Sequence, residues 1–111
     1  MHLYHIARRE DWERARETGV YAPVSLEREG FVHCSLSHQL EAVANALFRG
    51  ERDLLLLVID PKRLSAEVRF EDPGVGEAYP HVYGPIPFQA VVEVRGLEPG
   101  PDGRFRIQFE P

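Results

Sequence analysis

Leu54–Ile59 reads Leu-Leu-Leu-Leu-Val-Ile, six apolar residues with no polar interruption, and it stops at Asp60-Pro61. Successive side chains of a β-strand point to opposite faces. A strand of this composition is therefore apolar on both faces and predicts a central strand buried from both sides. Six residues are far short of the roughly 20 that a membrane-spanning helix needs, so no membrane partner is expected. With 111 residues the chain has room for one domain, residues 1–111, and one core.

The other elements are shorter. Residues 3–7 read as an opening strand, followed by a polar helix over Arg9–Thr18 with Trp12 and Ala15 as a thin apolar stripe and Gly19 closing it. Residues 21–29 read as a connecting loop in which Pro23 opposes a helix, and residues 30–35 as a brief strand. Ser37 is a good N-cap for a helix over residues 37–49. There Leu40, Val43, Ala44, Leu47 and Phe48 fall at i, i+3, i+4, i+7 and i+8, so that Leu40, Val43, Ala44 and Leu47 face the sheet, and Gly50 ends the run. Residues 66–71 alternate, with Val68 and Phe70 inward. Residues 72–87 are irregular, with Gly and Pro throughout. Phe88, Ala90, Val92 and Val94 alternate cleanly, residues 98–103 make a turn, and Phe105, Ile107 and Phe109 alternate again in a last strand. Two helices come early and the strands gather late, which favours α+β over a doubly wound α/β sheet.

Charge and cysteine content narrow the partners. A net charge of −5 argues against broad nucleic-acid binding, although the scattered arginines leave room for a local basic pocket. Cys34 is the sole cysteine, so no internal disulfide forms. The opening residues 1–6 lack the charged and apolar regions of a signal peptide, and the expected location is cytoplasmic. Lys62 is the sole lysine and Asn45 the sole asparagine. That bias fits a heat-adapted source, and a GC-rich genome would give much the same one.

Three segments carry side chains suited to chemistry. His5 lies in the opening strand on the face opposite Tyr4 and Ile6, either as a hydrogen-bonding or acid–base histidine or as a strand-end histidine satisfied by a backbone carbonyl. The residues alone favour the second. His33 shares a strand face with Phe31 and Ser35 beside a helix N-terminus, which suits an anion or a sugar hydroxyl as well as plain capping by Ser35 or Ser37. Cys34, on the other face with Val32 and without a nearby cation, reads as a small buried hydrophobe. Residues 77–85, Glu-Ala-Tyr-Pro-His-Val-Tyr-Gly-Pro, hold a carboxylate, a histidine and two tyrosines in nine positions. Loops that concentrate such groups tend to carry function, though a rigid cover would look the same. No His-x-His, Cys-x-x-Cys or His-Glu-x-x-His pattern is present, so no metal is expected.

The blocks Glu29-Gly-Phe-Val-His-Cys-Ser35 and Pro80-His-Val-Tyr-Gly-Pro-Ile86 carry a family resemblance, together with His5, Trp12, Tyr21, Gln39, Asn45 and Leu56-Leu-Val-Ile-Asp60. Over nearly its whole length the chain looks like the domain-of-unknown-function family 952. That family resembles, more distantly, the ADP-ribosyltransferase superfamily. The resemblance implies a small fold of two early helices on two mostly antiparallel sheets that form a cleft, with NAD or an ADP-ribose-type nucleotide as substrate. It implies catalytic roles for His5, orienting the ribose, and Glu77, stabilising an oxocarbenium-like transition state. His33, Ser35, His81 and Tyr83 would line the pocket, and His33 or Phe31 would take the place of the aromatic that stacks on nicotinamide. The alternative is a non-enzymatic module that binds a small metabolite or partner in the same cleft. The acceptor and the oligomeric state are not specified by any of these residues.

Overall fold

The computed structural model of the chain describes residues 1–109. Among these the chain forms β1 (Leu3–Arg8), α1 (Arg9–Thr18), β2 (Val20–Tyr21), α2 (Val24–Glu29), β3 (Val32–His33), α3 (Ser37–Leu47), β4 (Leu54–Ile59), β5 (Val68–Glu71), β6 (Tyr79–Val82), β7 (Ile86–Pro87) and β8 (Val91–Leu97), with single 3-10 turns at Pro61–Arg63 and Phe88–Ala90. Three antiparallel sheets result, ordered β1-β4-β8, β2-β7 and β3-β6-β5. Tyr4 and Ser35 exchange both backbone hydrogen bonds, at 2.9 and 2.7 Å, and so join β1 to the segment just after β3.

β4 lies in the middle of its sheet with all six residues buried, as its composition demands. Its pleat feeds two separate cores. Leu55, Leu57 and Ile59 join Leu3, Ala7, Trp12, Ala15, Tyr21, Val32, Val82 and Ile86 on one face. Leu54 and Leu56 join Ile6, Leu40, Ala44, Leu97 and Phe105 on the other.

Several expectations about the elements change. There are three early α-helices rather than two, because residues 24–29 fold into α2. Pro23 stands at its N-cap with φ −72°, a value proline holds anyway, and its missing N–H is not needed there. Ser37 is the first residue of α3 and not its cap; Leu36 takes that place, and the Gln39 side chain accepts its N–H at 2.9 Å. Leu47 is 69% exposed: α3 buries the narrower row Leu40, Ala44 and, in part, Phe48. Residues 79–82, expected to be irregular, form the middle strand of the third sheet. Phe70 is half exposed because β5 is an edge strand, and Val92 and Val94 are exposed because β8 is another.

Residues 104–109 form no strand, yet Phe105 is buried and Ile107 and Phe109 pack on the second core as their alternation requires. Side chains of α3 replace the missing ladder. Asn45 accepts the Phe105 N–H at 2.7 Å and donates to the Phe105 carbonyl at 3.0 Å, while Glu41 accepts the Ile107 N–H at 2.6 Å.

Burial therefore separates two leucines of one helix. Leu40→Ala is expected to cost about 2–5 kcal/mol in urea unfolding, and Leu47→Ala less than about 0.5 kcal/mol. Equal losses at the two positions would contradict this placement of α3.

Candidate functional site

The third sheet has one face in the core and one outside. Val32, Val68 and Val82 pack into the first core. The residues that alternate with them, His33 on β3, His81 on β6, and Arg69 and Glu71 on β5, consequently stand on the outer face. In register His33 lies opposite His81 on one side, and Arg69 lies opposite it on the other.

These outer residues, with Phe31 and Tyr83, form one cluster. The Phe31 ring stacks on the His81 imidazole with centroids 4.2 Å apart and planes at 18°. It meets His33 edge-on at 4.8 Å and Tyr83 at 5.2 Å. His33 and His81 are edge to face at 5.3 Å. Each histidine is tied to a carboxylate: His33 Nε2 bonds Glu29, and His81 Nδ1 bonds Glu71 Oε1 at 2.9 Å. The Tyr83 hydroxyl donates to the same Glu71 oxygen at 2.5 Å, and the Arg69 guanidinium sits 4.3 Å from the centre of the Tyr83 ring. The Tyr83 and His81 hydrogen bonds, helped by nearby Arg69, hold the Glu71 carboxyl below its usual range. His81 is 6% exposed although it belongs to the outer face.

Of the residues expected to line a pocket, His33, His81 and Tyr83 thus come together. Ser35 is instead buried, with its backbone paired to Tyr4. Glu77 stands elsewhere, in the loop between β5 and β6: its carboxylate accepts from Gln39 Nε2 at 2.8 Å and lies 3.6 Å from His38. The sequence reading missed Glu71, Glu29 and Arg69. Period-two alternation through residues 66–71 could have found the first and last, since whatever alternates with Val68 must face outward.

His5 is buried between elements. Its Nδ1 is 2.5 Å from the His33 carbonyl, which can only accept, so Nδ1 carries the proton. Nε2 is then the acceptor for the Tyr21 hydroxyl at 2.7 Å. Burial lowers the His5 pKa from 6.5 to about 4, only partly opposed by the bond to His33, and burial likewise raises that of Tyr21. This is the strand histidine satisfied by a backbone carbonyl, and both ring nitrogens are committed to protein partners. Cys34, buried, has its thiol pushed up to about 12, which makes it a poor nucleophile at neutral pH.

Two grooves lie apart from this cluster. A groove of about 470 Å³ is lined by Arg9, Glu10, Glu13, Arg14, Glu17 and Asp53, all charged. A second, of about 300 Å³, includes Tyr4, Val92 and Phe109. Among the described residues no group of three or more His, Cys, Asp or Glu is placed to hold a metal, and no helix is long and apolar enough to cross a membrane.

A small α+β protein built of antiparallel sheets, with a histidine–aromatic cluster on one outer sheet face, is what these observations define. The chain belongs to the family described as "Protein of unknown function (DUF952)", whose model matches residues 6–94. It is similar to protein CC0527 from Caulobacter crescentus. The crystal structure of that protein is 29% identical, with 96% of this chain and 94% of that one covered and a TM-score of 0.84. Its solution NMR structure is 29% identical over 93% and 90% of the two chains, with a TM-score of 0.75. No curated protein matches the chain. These comparisons do not extend to an ADP-ribosyltransferase.

The state of His5 has a measurable pH signature. The folded protein keeps it neutral down to about pH 4, while the unfolded chain binds a proton below 6.5. Its contribution is fully present above pH 6.5 and is lost as the pH falls toward 4, because the unfolded state then holds the extra proton. The loss is on the order of 3 kcal/mol across that window. His5→Gln keeps a donor for the His33 carbonyl and an acceptor for Tyr21, and should flatten this part of the urea stability profile. An unchanged slope in the variant would remove His5 as its source.

Proposed function

We propose that this protein binds an ADP-ribose-type nucleotide, NAD included, against the outer face of the β3-β6-β5 sheet. The observation that carries the reading is the Phe31–His81 stack flanked by His33 and Tyr83. Phe31 is only half-buried and leaves aromatic surface beside the imidazoles. Flat π-faces of this kind take up a base by stacking, worth about 1–3 kcal/mol per base. Carboxylates at the rim suit the rest of such a ligand, since Glu71 and Glu29 are acceptors for ribose hydroxyls and Glu71 stays ionised through the neutral range. Arg69 lies over the Tyr83 ring with its Nε and Nη2 bonded to Glu67, and it is a guanidinium of the kind that recognises pyrophosphate.

In this reading the residues that meet ligand are Phe31, His33, His81 and Tyr83, with Glu71 as the carboxylate in reach. His5 acts from beneath, because its Nδ1–H holds the carbonyl of His33 and so fixes where that strand lies. Glu77, in the loop before β6, is held by Gln39 of α3. An acidic protein with one local arginine fits a small nucleotide better than a polyanion.

Calorimetric titration tests this. NAD or ADP-ribose should bind the wild type, and Phe31→Ala should weaken binding about tenfold to a hundredfold, the loss of one stacked base. Its half-exposed position predicts little change in the unliganded melt. Failure of NAD, ADP-ribose and nicotinamide alike to bind at millimolar concentration would discard the nucleotide and leave a module for some other ligand.

A further inference from the structure

We infer that β8 is a self-association surface: two copies of this chain pair edge to edge, β8 against β8, antiparallel about a two-fold axis at Val94. The inference stands apart from the nucleotide reading and uses none of its residues.

The hydrogen-bond parity of the first sheet shows that this edge is open. Tyr4 spends both its N–H and its C=O on Ser35, so it turns neither toward β4. In an antiparallel ladder bonded and non-bonded pairs alternate. The bonded pair is therefore His5 with Leu57, and Leu57 directs its backbone to β1. Val94, opposite Leu57 on the far side, receives nothing from it. The N–H and C=O of Val94, and by the same alternation those of Gly96, point away from the sheet. Among the described residues no other strand or side chain meets them. A Cβ at Gly96 would touch no heavy atom within 4 Å, so nothing overhangs that stretch.

Proteins that must keep such an edge single guard it with lysine, proline, short length or a bulge. β8 is seven residues long, Val-Val-Glu-Val-Arg-Gly-Leu, without lysine or proline. Its one irregularity lies near the start, opposite Val58 and Ile59. Val94 in its middle is 39% exposed.

Charge selects both the occupant and the register. Glu93 and Arg95, opposite Val58 and Leu56, share one face of the sheet on either side of Val94. When Val94 meets Val94 of a second copy, the two exchange both backbone bonds, and Glu93 of each chain faces Arg95 of the other. These flanking pairs are of the close, non-bonded kind, with Cα atoms about 4.5 Å apart, where opposite charges stabilise the pairing and like charges oppose it. Sliding the second copy so that Val94 meets Val92 sets Glu93 against Glu93. Sliding it the other way, onto Gly96, sets Arg95 against Arg95. The bond between Glu93 and Arg95 within each chain, at 2.6 Å, becomes one side of a ring of four alternating charges. The product is a continuous sheet ordered β1-β4-β8-β8-β4-β1.

Sedimentation equilibrium of the full chain from micromolar to millimolar concentration tests this, with far-UV circular dichroism to report folding. Wild type should show a reversible monomer–dimer equilibrium. Val94→Pro removes both central donors and should abolish the dimer; the lost N–H faces away from β4, where an edge strand tolerates proline. Glu93→Arg sets arginine against Arg95 twice, and Arg95→Glu sets glutamate against Glu93 twice. Each should weaken self-association at least about tenfold. Mixed in equal amounts, these two variants are complementary at both pairs and should dimerise with one another. That rescue decides the matter even where Val94→Pro does not fold. Wild type that stays monomeric at millimolar concentration overturns the inference. So does a dimer that survives Glu93→Arg or a folded Val94→Pro, or a mixture of the two charge variants that stays monomeric.

Discussion

A strand that is apolar on both faces cannot stop at one layer, and the whole architecture follows from covering β4 twice. Its odd-numbered leucines require one core and its even-numbered leucines another. Each aliphatic side chain removed from water contributes about 1.5–3 kcal/mol, so neither face can stay open. Helix α1 and the smaller sheets close one side. Helix α3 and residues 105–109 close the other. β4 thereby feeds both, and β1 beside it does so too, through Leu3 and Ala7 on one side and Ile6 on the other.

The candidate site inherits its precision from the first of these cores. Val32, Val68 and Val82 are committed inward, and a one-residue slip in any of the three strands would turn every side chain over. The outward placement of His33, His81, Arg69 and Glu71 is thus enforced by valines that never meet a ligand. His5 adds a second restraint from below, since its ring spans Tyr21 and the His33 carbonyl. Phe31 then covers His81, which explains how an imidazole on an outer face ends up almost without exposure. Polar chemistry here stands on an apolar register.

What could be read from the residues depended on whether the signal was periodic. Leu54–Ile59 and α1 came through because composition and a closing Gly19, with φ 87°, left one reading. The strand at residues 79–82 did not, because Pro80 breaks the expected pattern; its carbonyl accepts from Cys34 at 3.0 Å although it has no N–H to give. In α3 the apolar stripe was wider than the surface available to cover it, so Leu47 was left in solvent. Within the site, His33, His81 and Tyr83 were visible as a concentration of unusual side chains. Glu71 was not, being one acidic residue among many until the pairing of β5 with β6 puts it beside His81. His5 showed its position and the kind of partner one nitrogen finds, a backbone carbonyl, but not Tyr21, which arrives from a different strand.

The clasp of α3 on residues 105–107 bears on how the chain comes together. The second core contains Ile6 from near the start of the sequence and Phe105 from near its far end. The backbone there is held by the Asn45 and Glu41 side chains and by no neighbouring strand. During synthesis β1, α3 and β4 all emerge before the residues that roof them, so Leu40, Ala44, Leu54 and Leu56 must wait uncovered until Phe105 has followed β4 by some fifty residues. A nascent chain that has made β4 but not yet Phe105 is therefore sticky on one side of its central sheet, and it becomes safe only when three short polar contacts close the roof.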